Sequence, residues 1–135
     1  MKELFFKKIS KLNNKNGNVF KFLQVGLNIK KIEEIYFTEI KFKKIKCWKK
    51  HTQNNLRLYV IKGKIRLVFY KNKKFQRFDI NEMSKEYIYI PKNTIFGFQG
   101  LSYQNLILCS LEKKHNDKEV INYSKETFSF KYWKK

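Results

Sequence analysis

The chain has 135 residues and a mass of 16.6 kDa, enough for one domain with one hydrophobic core and too little for a second. A composition that is 42% hydrophobic and 17% aromatic excludes disorder for the bulk of it, while its apolar runs fall well short of the roughly 18 residues of a membrane helix. The net charge of +20 rests almost wholly on lysine, since only Arg57, Arg66 and Arg77 are arginine; nucleic-acid interfaces favour arginine forks, so the charge speaks for phosphates in general and against nucleic acid.

Residues 1–10 (MKELFFKKIS) carry basic side chains without an apolar stretch or a small-residue cleavage site, which predicts that the protein stays in the cytoplasm. Strand-length apolar or alternating segments follow at 19–25, 35–42, 56–61, 64–70, 75–80, 87–90, 95–98 and 105–111. Turn signals separate them at 14–18, at Lys62-Gly63, and at 70–74, 91–94 and 100–104. Residues 64–70 (KIRLVFY) and 75–80 (FQRFDI), joined by a polar tetrad, read as a hairpin. No helical period is sustained, no linker divides the chain, and Pro91 is its single proline. Cys47 and Cys109 lie in dissimilar contexts and are expected as reduced thiols packed in strands. The pattern predicts one antiparallel all-β domain, a sandwich or a closed barrel, spanning about 15–112, with 113–135 as a tail packed on it.

Four stretches carry a family resemblance in a fixed order. They are residues 36–40 (YFTEI), 45–51 (IKCWKKH) leading into 55–64 (NLRLYVIKGK), 91–98 (PKNTIFGF), and 115–119 (HNDKE) followed by 128–133 (FSFKYW). In that order they resemble the small cupins, double-stranded β-helix or jelly-roll barrels, that act on nucleotide sugars. The similarity is first to dTDP-4-dehydrorhamnose 3,5-epimerase and then to the dTDP-sugar 3,4-ketoisomerases. The resemblance implies a cupin homodimer that binds a nucleoside-diphosphate sugar, requires no dissociable cofactor or metal, and serves surface polysaccharide or glycan biosynthesis. Carried over by position, the family's basic histidine falls on Lys49, the histidine of its His-Gly-Phe on Phe96, and its tyrosine acid on Cys109. Lys46 matches a basic residue that helps hold the pyrophosphate, and His51 matches the second histidine of the His-x-His variants. The aspartate that partners the base is expected in the interval 122–126.

Epimerisation next to a ketone needs a base and an acid within one barrel. His51 is the candidate base and Lys49, two residues away on the same strand face, the candidate stabiliser of the enolate. For substrate binding the candidates are Lys46, Arg57 and Arg66 at the pyrophosphate, and Trp48 as a stacking surface whose alternative use is core packing. Tyr36 is a further stacking candidate. A metal site is not expected, because Lys-x-His replaces the usual His-x-His and phenylalanine stands where a last ligand would be. Two other readings stay open: a sugar-nucleotide-binding cupin without catalysis, and a basic β-barrel that binds nucleic acid.

Overall fold

The computed structural model describes residues 3–26 and 29–135. Pairing of the alternating segments builds two antiparallel five-stranded sheets. In spatial order the first contains β1 (Phe5–Lys8), β9 (Glu86–Ile90), β6 (Leu56–Lys62), β11 (Leu106–Leu111) and β4 (Glu34–Glu39). The second contains β12 (Val120–Asn122), β5 (Ile45–His51), β10 (Ile95–Gly100), β7 (Lys64–Lys71) and β8 (Lys74–Asn81). A hairpin of β2 (Ser10–Leu12) and β3 (Val19–Lys21) pairs only with itself among these strands.

Inward residues of both sheets, among them Leu58 and Val60 of β6, Ile65 and Leu67 of β7, Ile88, Ile90, Ile107 and Leu111, form one continuous buried cluster. Each such side chain contributes about 1.5–3 kcal/mol on burial, and the interdigitation of two inner faces is what closes a β-sandwich. The expected all-β jelly roll is therefore the fold observed. The β7–β8 hairpin is also as expected, in register from Lys64↔Asn81 to Lys71↔Lys74. Its turn places Asn72 and Lys73 at φ 53° and 64°, the left-handed values that a tight hairpin turn requires at both central positions.

Three expectations are corrected. The strand predicted at 19–25 ends at Lys21 and lies outside both sheets, because every residue of β2 and β3 is exposed and finds no sheet to join. The strand predicted at 35–42 stops at Glu39; beyond it only Phe42 makes an isolated bridge, to Gly100. Asn105 is not a strand residue but a buried clamp, its side chain accepting from the Lys64 and Ser102 amides and donating to the Ile40 and Ser102 carbonyls. Strands also come from both ends of the chain, since β1 pairs with β9 and β12 with β5.

One glycine shapes the ground beneath the site. At Gly97, opposite β5, a side chain would run into the Cys47 Cβ and backbone, so glycine there lets β10 approach β5 closely at the position between Phe96 and Phe98.

Candidate active site

Between the two sheets lies a cavity of about 310 Å³, within the size range of small-molecule sites. Its polar lining comes from Tyr36 and Thr38 of β4, Lys46 and Lys49 of β5, Cys109 of β11 and Asn122 of β12; its apolar lining comes mainly from Leu56, Leu58, Phe96 and Phe98. Cross-strand register explains the convergence. Tyr36 is paired with Cys109, Lys49 with Phe96 on one side and with Asn122 on the other.

Lys46 stands at the edge of the cavity with its ammonium donating to Thr38 Oγ1 at 3.1 Å and to the Glu39 carbonyl at 2.8 Å. An ammonium has three donors, so this arrangement holds a positive charge in place with one donor to spare. Lys49 lines the same cavity, and its charge reaches both His51 and Cys109, a smaller influence on each than burial.

His51 is buried, and its Nδ1 lies 2.9 Å from Glu119 Oε2. Glu119 is itself 2% exposed and is held by two backbone amides, with Oε1 accepting from Gln53 at 3.1 Å and from Asn54 at 3.0 Å. Burial raises the Glu119 pKa, but the hydrogen bonds from His51, Gln53 and Asn54 outweigh it, and the group is held below the ordinary carboxylate range. Burial pushes the His51 pKa down, against the upward pull of Glu119. The pair is therefore a neutral imidazole beside a carboxylate. A carboxylate can only accept, so Nδ1 carries the proton and Nε2 presents its lone pair. That Nε2 is buried and has no hydrogen-bond partner among the described residues, which leaves a proton acceptor in a low-dielectric setting.

His51 does not line the cavity directly. Phe96 does, and its ring lies parallel to the imidazole at 6.3 Å between centroids with 14° between planes. The structure thus brings Lys46 and Lys49 to the cavity and sets His51 outside its lining, against Phe96 and within reach of the Lys49 charge.

Tyr36 and Cys109 face each other on the paired strands β4 and β11 and both line the cavity. Burial drives both groups toward their protonated forms: the Tyr36 pKa is raised, and that of Cys109 is pushed up to about 12. Cys109 is therefore a buried thiol and not a nucleophile, while Tyr36 offers a proton-bearing hydroxyl at the cavity wall.

No family model matches the chain, and no curated protein matches it in sequence. Solved structures do match it in shape. A dTDP sugar isomerase from Desulfovibrio desulfuricans G20 superposes with a TM-score of 0.83 at 18% identity, over 95% of this chain and 89% of that one. QdtA, a sugar 3,4-ketoisomerase from Thermoanaerobacterium thermosaccharolyticum in complex with TDP, gives 0.80 at 11% identity, over 93% and 91%. The 3,5-epimerase RmlC from Legionella pneumophila Philadelphia 1, in complex with dTDP-4-keto-L-rhamnose, gives 0.76 at 13% identity, over 88% and 71%. The fold is the cupin fold of these dTDP-sugar isomerases and epimerases.

Within this cupin the remaining expected site residues lie elsewhere. Leu56 and Leu58 of β6 face the cavity, so Arg57 between them points to the outer side of the first sheet, where it meets Glu112 at 3.3 Å. Ile65 and Leu67 face the core, so Arg66 points outward too, gripping Asp79 through Nε and Nη2 at 2.9 and 3.1 Å and donating to the Tyr132 carbonyl. The expected placement of both arginines at the barrel cavity is thus corrected by the two-residue period of their strands. Trp48 touches the cavity, but its indole N–H donates to the Lys125 and Phe128 carbonyls and its ring packs on Phe75, Phe128 and Trp133, which makes it the anchor of the tail.

The residue that sequence reasoning missed is Glu119. Its carboxylate takes the place expected of an acid in 122–126, three residues further upstream, on a one-turn 3₁₀ helix (Asp117–Glu119) whose N-cap Asn116 accepts from the Lys118 amide. The available signal was the HNDKE stretch itself, which places two of the chain's 11 acidic residues in one short segment.

Proposed function

We propose that the cavity takes a nucleoside-diphosphate keto-sugar and that the protein isomerises it by moving a proton next to the ketone, as an epimerase or ketoisomerase in the making of a surface polysaccharide or glycan. The observation that carries this reading is the buried, partnerless Nε2 of a neutral His51 fixed by Glu119 beside a cavity lined by Lys49. With the Phe96 ring turned aside, His51 Nε2 accepts the proton from the carbon next to the ketone. The electron pair of that C–H bond forms the new C–C double bond, and the carbonyl π pair moves onto oxygen, where the Lys49 ammonium stabilises the enolate. Return of the proton to the same carbon from the opposite face inverts it; return to the neighbouring carbon of an enediol moves the ketone. The Tyr36 hydroxyl is the proton donor suited to the opposite wall, and Lys46 at the edge of the cavity suits the pyrophosphate. No group in this scheme requires a dissociable cofactor or a metal.

The reading includes a homodimer in the cytoplasm. The dimer is supported by β4, an edge strand whose outward residues Ile35 and Phe37 are 57% and 65% exposed, an apolar strip that a second copy would cover. Light scattering of the wild type against Phe37→Lys tests it, a monomeric wild type overturning it.

A second reading, a cupin that binds the sugar nucleotide without turning it over, is favoured by one observation: Phe96 lies over the imidazole that would act as base. Both are decided by deuterium wash-in. TDP-4-keto-6-deoxyglucose, the ligand in another QdtA structure, is incubated with the protein in heavy water and followed by NMR. Exchange at the carbon beside the ketone, lost in His51→Asn, is the expected result. Binding without exchange establishes the second reading. Thermal stabilisation by TDP, UDP, GDP and CDP, compared with a DNA duplex at two salt concentrations, identifies the carrier; equal salt-sensitive shifts with all of them would instead make the protein a general polyanion binder.

A further inference from the structure

A second cavity, of about 500 Å³, opens on the outer side of the first sheet. Its walls are β1 with Lys7, Ser10 just beyond it, and the segment carrying Lys21 and Phe22; its floor is Arg57 and Tyr87. Leu58 faces the barrel cavity and Arg57, its neighbour, faces this one, so the two cavities lie on opposite faces of the same strand.

Arg57 is the unusual element. Its side chain is 4% exposed, yet it carries a full charge. One nitrogen reaches Glu112 at 3.3 Å, and the guanidinium lies over the Tyr89 ring at 5.0 Å. Its Nε–H is buried and makes no hydrogen bond among the described residues. A buried donor on a charged group is costly while it stays unmet, and Arg57, which carries it, is one of the side chains that line the cleft. Around it stand Lys7, Lys8 and Lys21, and no acidic side chain lines the cleft among the described residues. The rest of the wall is largely apolar and includes an aromatic corner, with Phe22 packed edge-on to Tyr87 at 6.0 Å.

We propose that this cleft is a second binding site, for a nucleoside phosphate, with the phosphate on Arg57, Lys7 and Lys21 and the base against Phe22 and Tyr87. A guanidinium with an unmet N–H and two mobile ammonium groups is the donor set a phosphate needs, and the aromatic wall supplies a surface for a planar base. The site is independent of the isomerase reading, because none of these side chains lines the barrel cavity.

Equilibrium dialysis of the full chain with labelled TDP, at about 0.1 and 0.5 M salt, decides it. The expected result is two molecules of TDP per chain for the wild type and one for Arg57→Gln. Because Arg57 is buried and its variant could fail to fold, the double variant Lys7→Glu/Lys21→Glu, on exposed positions, carries the same prediction: the outer site weakens about tenfold or more while the melting temperature holds. Lys73→Glu/Lys74→Glu, an equal change of charge on the β7–β8 turn, whose residues do not line the cleft, keeps both sites. Thymidine without phosphate should not displace TDP from the outer site, and inorganic phosphate should displace it only weakly.

Binding that is untouched by Lys7→Glu/Lys21→Glu overturns the proposal, as does an equal loss in Lys73→Glu/Lys74→Glu, which would reduce the effect to bulk charge. Inorganic phosphate competing as well as TDP overturns the nucleotide assignment, and a dimer whose interface closes the cleft overturns it as well. One TDP per chain, lost in Lys7→Glu/Lys21→Glu and kept in Lys46→Ala, upholds this site and sinks the barrel reading alone.

Discussion

Glu119 and Asp79 each hold basic partners in this cupin, and burial turns them into different devices. Glu119 is 2% exposed and bonds one imidazole and two backbone amides inside the molecule. The Asp79 side chain is 27% exposed on the outer side of the second sheet and lies between Arg66 and Arg77. Water and salt screen the second arrangement, so its charges contribute little beyond position. The first is screened hardly at all, and it decides which nitrogen of His51 bears a proton. The same pairing of carboxylate and base is scaffolding on the outer face and, in the interior, a device that fixes the imidazole tautomer.

The largest expected effect comes from breaking the interior member. Glu119→Ala leaves His51 Nδ1 and the Gln53 and Asn54 amides without an acceptor, and should cost roughly 3–5 kcal/mol in denaturant unfolding. Asp79→Ala should cost no more than about 1 kcal/mol. Equal losses would show that Glu119 is hydrated and the contrast in burial unreal.

Glu119→Gln sharpens the comparison without emptying the site. Its carbonyl oxygen can still serve the two amides, but its NH₂ then faces Nδ1 and forces the imidazole proton onto Nε2. Deuterium wash-in should fall by about 10²-fold or more, with nucleotide affinity unchanged. Retained exchange would remove His51 from the role of base.

The two pairs should also separate along the pH axis. The His51 pKa is lowered in the folded state, so between that lowered value and the ordinary 6.5 the unfolded chain binds more protons. Stability contributed by neutral His51 is complete above pH 6.5 and is lost as pH falls below it, and proton exchange catalysed by His51 should keep its rising limb below pH 6.5. For Asp79, lowered from 3.8 to about 2, the corresponding window opens only below pH 3.8. Melting temperatures followed from pH 8 to 3 in the wild type and in His51→Asn check the first window; identical slopes in the two proteins would contradict it.

What could be read from the sequence follows these same differences in environment. Strands β6 to β11 are legible because their inward positions are apolar at a period of two and glycine or asparagine turns bound them. β1 and β12 escape because FFKK and VIN each offer one half-buried side chain, and pairing with a distant strand, which no local pattern reports, makes them strands. Lys46 and Lys49 are legible through the family resemblance, and Lys49 also from its two-residue spacing to His51. Glu119 is not, because it meets His51 across 68 residues of chain. Arg57 and Arg66 mislead for the opposite reason: their rarity is visible, whereas the face they take depends on the phase of leucine and isoleucine neighbours.

The smallest effect is expected at Asp79, where the geometry is best and the energy least. Arg66 presents Nε and Nη2 to the two carboxylate oxygens at 2.9 and 3.1 Å, and Arg77 adds a bond at 2.9 Å. In Asp79→Asn the two guanidinium groups keep an oxygen acceptor but lose the charge between them, so they repel. Arg66 retains its bond to the Tyr132 carbonyl, which ties the tail to β7. The variant should therefore lose about 0.5–1 kcal/mol at low salt and close to nothing at about 0.5 M, where the screening length falls to a few ångströms. A loss that persists in high salt, accompanied by a change in Trp133 fluorescence, would mean that Asp79 holds the tail through Arg66 and that the rim pair is structural in the same sense as the buried one.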